Sequence, residues 1–268
     1  MNLLSLVARV ASVSILVEAT GGSGGAGSAA AGRDPAAAPL PVLVARLDEL
    51  HQHRDDRAAF AEEQRLADAA VTRAPGDYDV LWRAARLYFW ASDDPGLSHD
   101  QRSRLGKTGW DLAERAIAAN PNDVAGYYWA AVCMGSYALG LGVVRALSQG
   151  LEGRFRDRMG RATALNDGYE AGGVETAWGR FFQKLPWPKR DRRAAEDHLR
   201  RALAINPNAL RARVYLANLY LDEGRAAEAK PLLDQVVAAP GDRYDPPEER
   251  RAKALAAGMA PQVAAQLR

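Results

Sequence analysis

The sequence is poor in the residues from which catalytic, redox and metal sites are built. Cys133 is the single cysteine, so the chain cannot form an internal disulfide, and we expect a small buried side chain there. Only four histidines are present, and no serine or cysteine nucleophile motif accompanies them. Lys and Arg number 35 against 33 Asp and Glu, so the overall charge selects neither nucleic acid nor a membrane surface. We therefore predict a protein that is not an enzyme and carries no cofactor or metal.

A long apolar run is also missing, so we expect no transmembrane span. Residues 1–19 are apolar, but Arg9 interrupts them and the run is too short to cross a bilayer. They fit either a signal peptide, with Val10 to Val17 as its apolar core and small residues at 28–31, or an unprocessed leader. No cysteine lies nearby for a lipid anchor. Gly, Ser and Ala dominate the next stretch, so residues 1–39 are predicted to be leader and flexible linker.

Three short motifs invite a chemical interpretation that their context does not support. Residues 105–110 read LGKTGW, but a phosphate-binding loop needs glycine where this chain has Gln101, and no strand precedes it. The glycines at 140–142 lie in an apolar, helix-rich stretch and do not make a dinucleotide fingerprint. His51 and His53 are two residues apart, so a helix would point them to different faces. We predict that both histidines are solvated turn residues.

The strongest positive pattern is a helix, a proline turn and a helical hairpin over residues 191–237. Ala195, Leu199 and Ala202 keep helical spacing, and Pro207 ends that helix. The apolar stripe begins again after the turn and once more after Gly224. These later positions are Leu216, Ala217, Tyr220, Ala229, Leu233 and Val236. Small alanines beside large apolar residues predict helices in close contact.

The same spacing recurs along the chain. An alanine precedes each of the junctions Pro75, Pro121, Asp167 and Pro207 by the same interval. One hairpin cannot bury its apolar face alone, so we predict a stack of hairpins over residues 40–243. Its units are predicted at about 44–77, 78–123, 124–169, 170–209 and 210–243. Residues 244–268 are predicted to form a polar-faced capping helix that begins at Pro246.

The longer segments between the repeats carry four further predictions. The apolar, glycine-containing insertion at 135–188 suits close helix packing or a mobile flap. The basic run KLPWPKRDRR at 184–193 predicts an exposed connection. Glu170 and Glu175 are interpreted as solvated helix ends, and His198 as part of a charged helix face.

The first helix of each unit has a face beside the packing face that collects aromatic side chains. In the second unit Leu81, Ala84, Ala85 and Tyr88 are assigned to packing, which leaves the neighbouring face for a concave groove. This groove is either an apolar binding cleft or subunit interface, or else is filled by the insertions as core. The candidate groove residues are Trp82, Arg86, Phe89, Trp90, Tyr128, Val132, Trp178, Phe181, Phe182, Arg211 and Asn218.

The alanine and proline pattern resembles the tetratricopeptide repeat superfamily, which implies an all-α solenoid. YYWAAVCMGSYALGLG, ALNDGYEAGGVETAWGRFFQKLPWP and the final repeat are similar to the T-component family associated with tripartite ATP-independent periplasmic transporters. That resemblance implies a periplasmic protein with apolar clefts, a trimer with a central pore, and association with a substrate-binding protein. VLWRAARLYFWAS is more loosely similar to the eukaryotic regulator of microtubule dynamics family. No lipobox cysteine precedes the repeats, unlike the T-component pattern.

Two functions remain open from the sequence. The groove docks a protein partner, such as the substrate-binding component of a transporter, or it carries a small hydrophobic ligand in the periplasm. A cytoplasmic scaffold is the alternative to a periplasmic location. Nucleic acid is not an expected partner, because acidic residues dilute the basic run near residue 190.

Overall fold

The computed structural model describes residues 35–240 and 244–268, and the expectations for residues 1–34 lie outside them. Within those ranges every regular element is helical, so the predicted all-α class is confirmed. None of these helices combines the length and apolarity needed to cross a membrane. After a 3-10 turn at Pro35–Ala37, the α-helices are α1 (Leu40–His51), α2 (Arg57–Arg73), α3 (Tyr78–Ser92), α4 (His99–Ala119), α5 (Val124–Leu141), α6 (Val143–Ser148), α7 (Leu151–Asn166), α8 (Tyr169–Lys184), α9 (Arg192–Ile205), α10 (Leu210–Asp222), α11 (Ala226–Ala238) and α12 (Pro246–Gln266).

Side-chain caps set the beginnings of many of these helices. The Asp56 carboxylate accepts hydrogen bonds from the backbone N–H groups of Ala58 and Ala59, each at 2.9 Å. Ser98 and Gln101 form a reciprocal capping box at the start of α4. The other capping carboxylates belong to Asp77, Asp123, Asp191 and Asp245. Each cap satisfies N–H groups that have no partner inside the helix, which fixes where the helix begins.

Neighbouring helices pack as stacked hairpins. Helix α1 packs with α2, α3 with α4, α8 with α9, and α10 with α11. In the middle of the stack α5 packs against both α4 and α7, and the short α6 lies between α5 and α7 in sequence. Helix α12 packs on α10 and α11. The predicted tetratricopeptide-like solenoid is therefore confirmed, while the predicted unit boundaries within 40–243 stay a prediction.

Small side chains on the inner surfaces bring the helices close together. Leu81, Ala84 and Ala85, predicted as the packing face of α3, are fully buried. Tyr88 completes that face but is only half-buried, and its hydroxyl donates to Asp68 at 2.8 Å. Cys133 is buried as expected, with Sγ 3.5 Å from the carbonyl oxygen of Ala85. The alanines thus act as contact points between helices rather than as solvated helix formers.

Glycines set the closest approach, between α4 and α5. A Cβ added at Gly106 would lie 2.5 Å from the backbone nitrogen of Tyr137, and one at Gly140 would overlap the backbone of Ser103. The start of the apolar insertion is therefore packed helix, one of the two alternatives the sequence left open. Gly106 belongs to the LGKTGW stretch, which lies inside α4, so no phosphate loop exists there.

Candidate functional site

The first helices of the hairpins enclose a groove together with α6, α7 and α12. Its cavity volume is about 720 Å³, which lies in the range of ligand pockets in proteins. We call this cavity the inner groove. Of the residues predicted for the groove, eight line it: Arg86, Phe89, Trp90, Tyr128, Val132, Phe181, Arg211 and Asn218.

The part of the inner groove lined by α6, the start of α7 and the nearby residues of α5 and α8 is mainly apolar, and we call it the apolar end. Helices α5 and α6 contribute Val132, Leu139 and Leu147, and α7 and α8 contribute Phe155 and Phe181. The two phenylalanine rings stack with their centroids 4.3 Å apart and only 6° between their planes. The insertion that the sequence shows after the third repeat therefore forms one wall of the groove and does not fill it.

The other end of the inner groove is rich in arginine, and we call it the arginine end. Arg211 donates to Asp93 at 2.6 Å, to Glu248 at 2.7 Å and to the Tyr215 hydroxyl at 3.0 Å. Burial alone would lower the pKa of Arg211, but Asp93 and Glu248 raise it well above its ordinary value. This guanidinium is therefore permanently charged and joins α10, the end of α3 and the start of α12.

Arg54 lies beside this cluster in the turn between α1 and α2. It donates to the His51 carbonyl at 2.9 Å and to Asp245 at 2.5 Å. Its guanidinium carbon is 4.4 Å from the centroid of the Trp90 ring, and that of Arg251 is 3.2 Å from it. Trp90, predicted as a groove residue, is thus held by cation–π contacts with both arginines and is nearly inaccessible to solvent.

Two buried donors at the arginine end have no hydrogen-bond partner. They are Nε of Arg54 and Nε of Arg86, although other nitrogens of both guanidiniums are paired, for example Arg86 with Asp48 at 2.8 Å. An unpaired buried donor costs about 1–3 kcal/mol. Neither nitrogen is accessible to solvent, so an occupant of the groove would meet the positive charge of the two guanidiniums and not these two donors.

The chain breaks its helical path at the start of α8, beside the arginine end. Glu170, Ala171 and Gly172 have φ of 53°, 46° and 90°, and the first two are not glycines. A left-handed conformation costs a non-glycine residue about 1–2 kcal/mol. The break places Glu170 on the groove wall, and burial raises the pKa of its carboxyl. Glu170 lies in the first turn of α8, as predicted for a helix end, but its side chain is half-buried and lines the groove instead of being fully solvated.

Glu175 is buried, so the prediction that it is a solvated helix end is wrong. Its Oε2 lies 2.8 Å from Nδ1 of His198 and accepts a hydrogen bond from Arg201 at 2.8 Å. Although burial would raise the pKa of Glu175, these two partners hold it below the ordinary value. Glu175 lies inside α8, where α9 packs over it, so the carboxylate joins the two helices of a hairpin.

Trp178 and Phe182, predicted for the groove, lie outside its lining. Their rings stack at 5.8 Å, and His198 of α9 stacks on Phe182 at 5.5 Å. The Trp178 indole donates to the Thr163 hydroxyl of α7 at 3.0 Å. The face of α8 that carries these two residues therefore packs between α7 and α9. His198 is a member of this ring stack, which the interpretation as a charged helix face did not include.

Trp82 is the third predicted residue that the groove does not contain. It is half-buried on α3, where Arg83 covers its ring at 4.1 Å and Arg86 approaches at 5.1 Å. Its indole N–H points to the Asp79 carboxylate at 3.4 Å. Trp82 is therefore a surface aromatic that lies beside the groove residue Arg86.

His51 departs from its predicted place in a solvated turn. It is the last residue of α1 and is buried, and its Nδ1 lies 2.8 Å from Glu63 Oε1. Burial, together with the charges of Arg86 and Arg54, lowers the pKa of His51 well below its usual range. Burial raises the pKa of Glu63 to about 7. His53, in contrast, is exposed.

Several groove residues escaped the sequence analysis. Arg180 lines the groove, donates to Asn218 at 3.0 Å and to Gln183 at 2.8 Å, and lies 4.4 Å from the Tyr215 ring; burial lowers its pKa. Tyr244, Asp245 and Glu248 enter from the start of α12. Arg180 follows the buried Thr176 by four residues, a spacing that puts both on one face of α8 and could have indicated the groove position of Arg180. No local sequence pattern links residues 244–248 to residue 54. Among the described residues no group of three or more His, Cys, Asp or Glu side chains is placed to hold a metal.

The chain is similar to solved structures and to one protein family. The fold is similar to the crystal structure of TTC0263, a thermophilic tetratricopeptide protein of Thermus thermophilus, with a TM-score of 0.62 at 20% identity over 82% of this chain and 99% of that one. Two structures of MamA match with TM-scores of 0.43 and 0.40, at 16% and 14% identity, over 75% and 79% of this chain and 95% and 94% of theirs. No curated protein matches the sequence. The family model described as regulator of microtubule dynamics protein 1-3 matches residues 43–260, and the chain therefore belongs to that family.

Proposed function

We propose that the protein is a noncatalytic interaction scaffold that binds a segment of a partner protein in the inner groove. The observation that supports this most directly is the groove itself, to which the first helix of every hairpin contributes. A tetratricopeptide-like stack presents such a surface without needing any mobile part. Fold alone does not define a partner, so the proposal rests on the chemistry of the lining.

That lining suits a chain with apolar side chains and free backbone groups. Phe181 and Phe155 provide a stacked aromatic surface at the apolar end, and such rings anchor partner side chains well. Asn218 lines the groove, and its Oδ1 accepts from Arg180 and from Gln183 at 2.9 Å. Its amide NH₂ is then the group left to donate to a backbone carbonyl of the partner. We therefore propose that the partner binds through an amphipathic segment, which lies in the groove along α5, α8 and α10.

Affinity capture with the full chain as bait tests this proposal. Phe181→Ala and Asn218→Ala should each reduce the recovered partner by about tenfold, since each removes a central contact. Trp82→Ala is the matched aromatic control outside the groove and should retain the partner. If the groove variants capture as much partner as the wild type, the groove is not the docking site.

A small ligand is the second candidate, and the two different ends of the groove favour it. A cavity of about 720 Å³ with an apolar end and an arginine end fits a hydrophobic acid, whose tail would lie near Leu147 and whose carboxylate would face Arg54 or Arg86. Leu147→Trp should fill the tail region and abolish a ligand mass seen by native mass spectrometry. Val237→Trp adds the same ring on exposed α11 and should retain it. An unliganded wild type that also ignores added hydrophobic acids would refute this candidate.

More specific assignments are also proposals. The T-component resemblance suggests a periplasmic trimer that associates with a transporter's substrate-binding protein, and the family description suggests a role with microtubules. Native mass spectrometry of protein from its own host tests the trimer and the processed leader, and cosedimentation with microtubules tests the second role. A full-length monomer that remains in the supernatant would refute both.

A further inference from the structure

The two most exposed large apolar side chains of the described residues lie in segments that the proposed function does not use. Trp187 is 88% exposed and lies in the connection between α8 and α9, with Pro186 and Pro188 on either side. Val144 is 74% exposed on α6. Tryptophan is highly buried on average, so a ring that is 88% exposed is unusual and makes this connection a candidate contact surface.

Both segments border the inner groove and are linked through the start of α7. The Lys189 ammonium bonds the Glu152 carboxylate at the start of α7 at 2.5 Å, which ties the Trp187 connection to the helix that follows α6. Arg190 donates to the Leu185 carbonyl at 3.0 Å, so the connection is an ordered turn. Leu185 lines the apolar end of the groove, as do Val143 and Leu147 of α6. Residues next in sequence to Trp187 and Val144 therefore line the same groove, and we call the surface around these two segments the opening.

The surroundings of this opening are strongly basic although the whole chain is nearly neutral. Residues 143–156 and 184–193 together contain eight Lys and Arg and only two acidic residues. Ion pairs neutralise part of this charge, since Glu152 bonds Lys189 and Arg156 and Glu223 pairs with Arg192, while Asp191 caps α9 by accepting from the Ala194 N–H. Arg145 and Arg190 are exposed. The local field therefore favours an anionic surface that faces the opening.

We propose that Trp187, Val144 and the basic residues around them form a docking surface for an anionic phospholipid bilayer. Tryptophan prefers the membrane interface because its ring is apolar and its N–H is polar, and lysine and arginine are attracted to anionic headgroups. An acidic protein partner would normally bury a continuous apolar centre at its interface. This surface has only two separate apolar side chains surrounded by cations, which suits the headgroup layer of a bilayer better. This surface is independent of what occupies the groove.

Vesicle flotation with the full chain tests the docking surface. Wild type should float with vesicles containing about one third phosphatidylglycerol and should stay at the bottom with pure phosphatidylcholine. Trp187→Ala and the double variant Arg145→Ala/Lys189→Ala should each bind about fivefold or more weakly. Val237→Ala and Lys230→Ala, which change exposed residues of α11, should float like the wild type.

A second measurement follows the position of the ring and does not depend on affinity. Brominated phosphatidylglycerol should quench more tryptophan emission in the wild type than in Trp187→Phe, because the phenylalanine variant docks but lacks the inserted indole. Equal quenching in both proteins would overturn the proposal, as would flotation of Trp187→Ala at the wild-type level. Absence of wild-type binding to the anionic vesicles, with Trp187-dependent capture of a protein instead, would assign the surface to that protein and overturn it as well.

Discussion

At the scale of single residues, a buried acid and base share one hydrogen bond between α1 and α2, and the base, His51, also lines the groove. Glu63 of α2 is 1% exposed, and its second oxygen has no hydrogen-bond partner. His51 is held neutral by burial and by the charges of Arg86 and Arg54. A neutral pair avoids the large cost of burying an unpaired charge, so proton uptake by Glu63 stabilises the fold.

We predict that Glu63→Gln removes a part of the pH dependence of stability. The pKa of Glu63 is about 7 in the fold against 4.5 in the reference state, so the folded protein binds the extra proton between these values. Its stabilising contribution is complete below pH 4.5 and is lost as the pH rises through about 7, which amounts to roughly 3 kcal/mol at most. The lowered pKa of His51 acts in the opposite direction, since protonation of the unfolded chain reduces stability as the pH falls through 6.5.

Urea denaturation from pH 4.5 to 8 measures this difference. The wild type should lose stability relative to Glu63→Gln as the pH rises. Glu62→Gln removes a carboxylate from the neighbouring position, which bonds Arg46 on the outside, and should follow the wild type. Parallel curves for the wild type and Glu63→Gln would show that Glu63 is ionised in the fold throughout.

Helical periodicity in the sequence predicts which residues are buried between helices. It does not predict the positions of residues whose partners are distant in sequence. Ala84, Ala85 and Cys133 were identified as buried because their helical spacing shows the contact face. His51 was assigned to a solvated turn because its partner, Glu63, comes from the next helix and no periodic signal joins them. Trp178 was assigned to the groove because rotation about a helix axis depends on packing against α7 and α9, which the spacing does not determine.

At the scale of helices, the contact between α4 and α5 depends on the absence of side chains. Gly106 and Gly140 lie against backbone atoms of the facing helix. Backbone cannot move aside as the end of a flexible side chain can, so an added methyl group would separate the helices. Glycine also occurs where no close contact requires it: Gly160 of α7 is exposed, and an added Cβ would meet no other atom.

We predict opposite effects from one substitution at these two kinds of position. Gly106→Ala should lower the free energy of unfolding by about 2–3 kcal/mol, because a Cβ would lie 2.5 Å from a backbone nitrogen. Gly160→Ala should raise it by about 0.5–1 kcal/mol, since alanine has the higher helix propensity and meets nothing. Chemical denaturation compares the two, and a tolerated Gly106→Ala would mean that α4 and α5 are less closely packed.

At the scale of the whole described unit, bonds between residues 161 to 195 positions apart in sequence hold the two ends of the stack together. Arg54 bonds Asp245, Arg250 bonds Asp55, and Arg251 donates to the Trp90 carbonyl at 3.1 Å. The sequence predicted α12 as a polar-faced cap. The structure places its first turn across the groove, where it joins the N-terminal helices.

We predict that Arg251→Ala loosens α12 selectively. It removes the cation–π contact with Trp90 and the hydrogen bond to its carbonyl, together about 1–3 kcal/mol. Hydrogen exchange should become about tenfold or more faster in α12 while α4 and α5 keep their protection. Lys230→Ala breaks only a surface pair with Asp234 and should leave exchange in α12 unchanged. Unchanged exchange in the Arg251 variant would show that packing on α10 and α11 alone retains the helix.

The bridge from Asp245 back to Arg54 also bears on how such a chain can evolve. An open tetratricopeptide array tolerates gene duplication of a repeat, because each added unit of ~34 residues needs only its two neighbours. Here one more hairpin between α3 and α10 would move α10 and α12 away from the N-terminal helices, and it would separate Arg54 from Asp245 and Arg211 from Asp93. We therefore expect this architecture to evolve by substitutions and by changes in loop length. The contacts between the α1–α2 turn and α12 oppose a change in the number of hairpins.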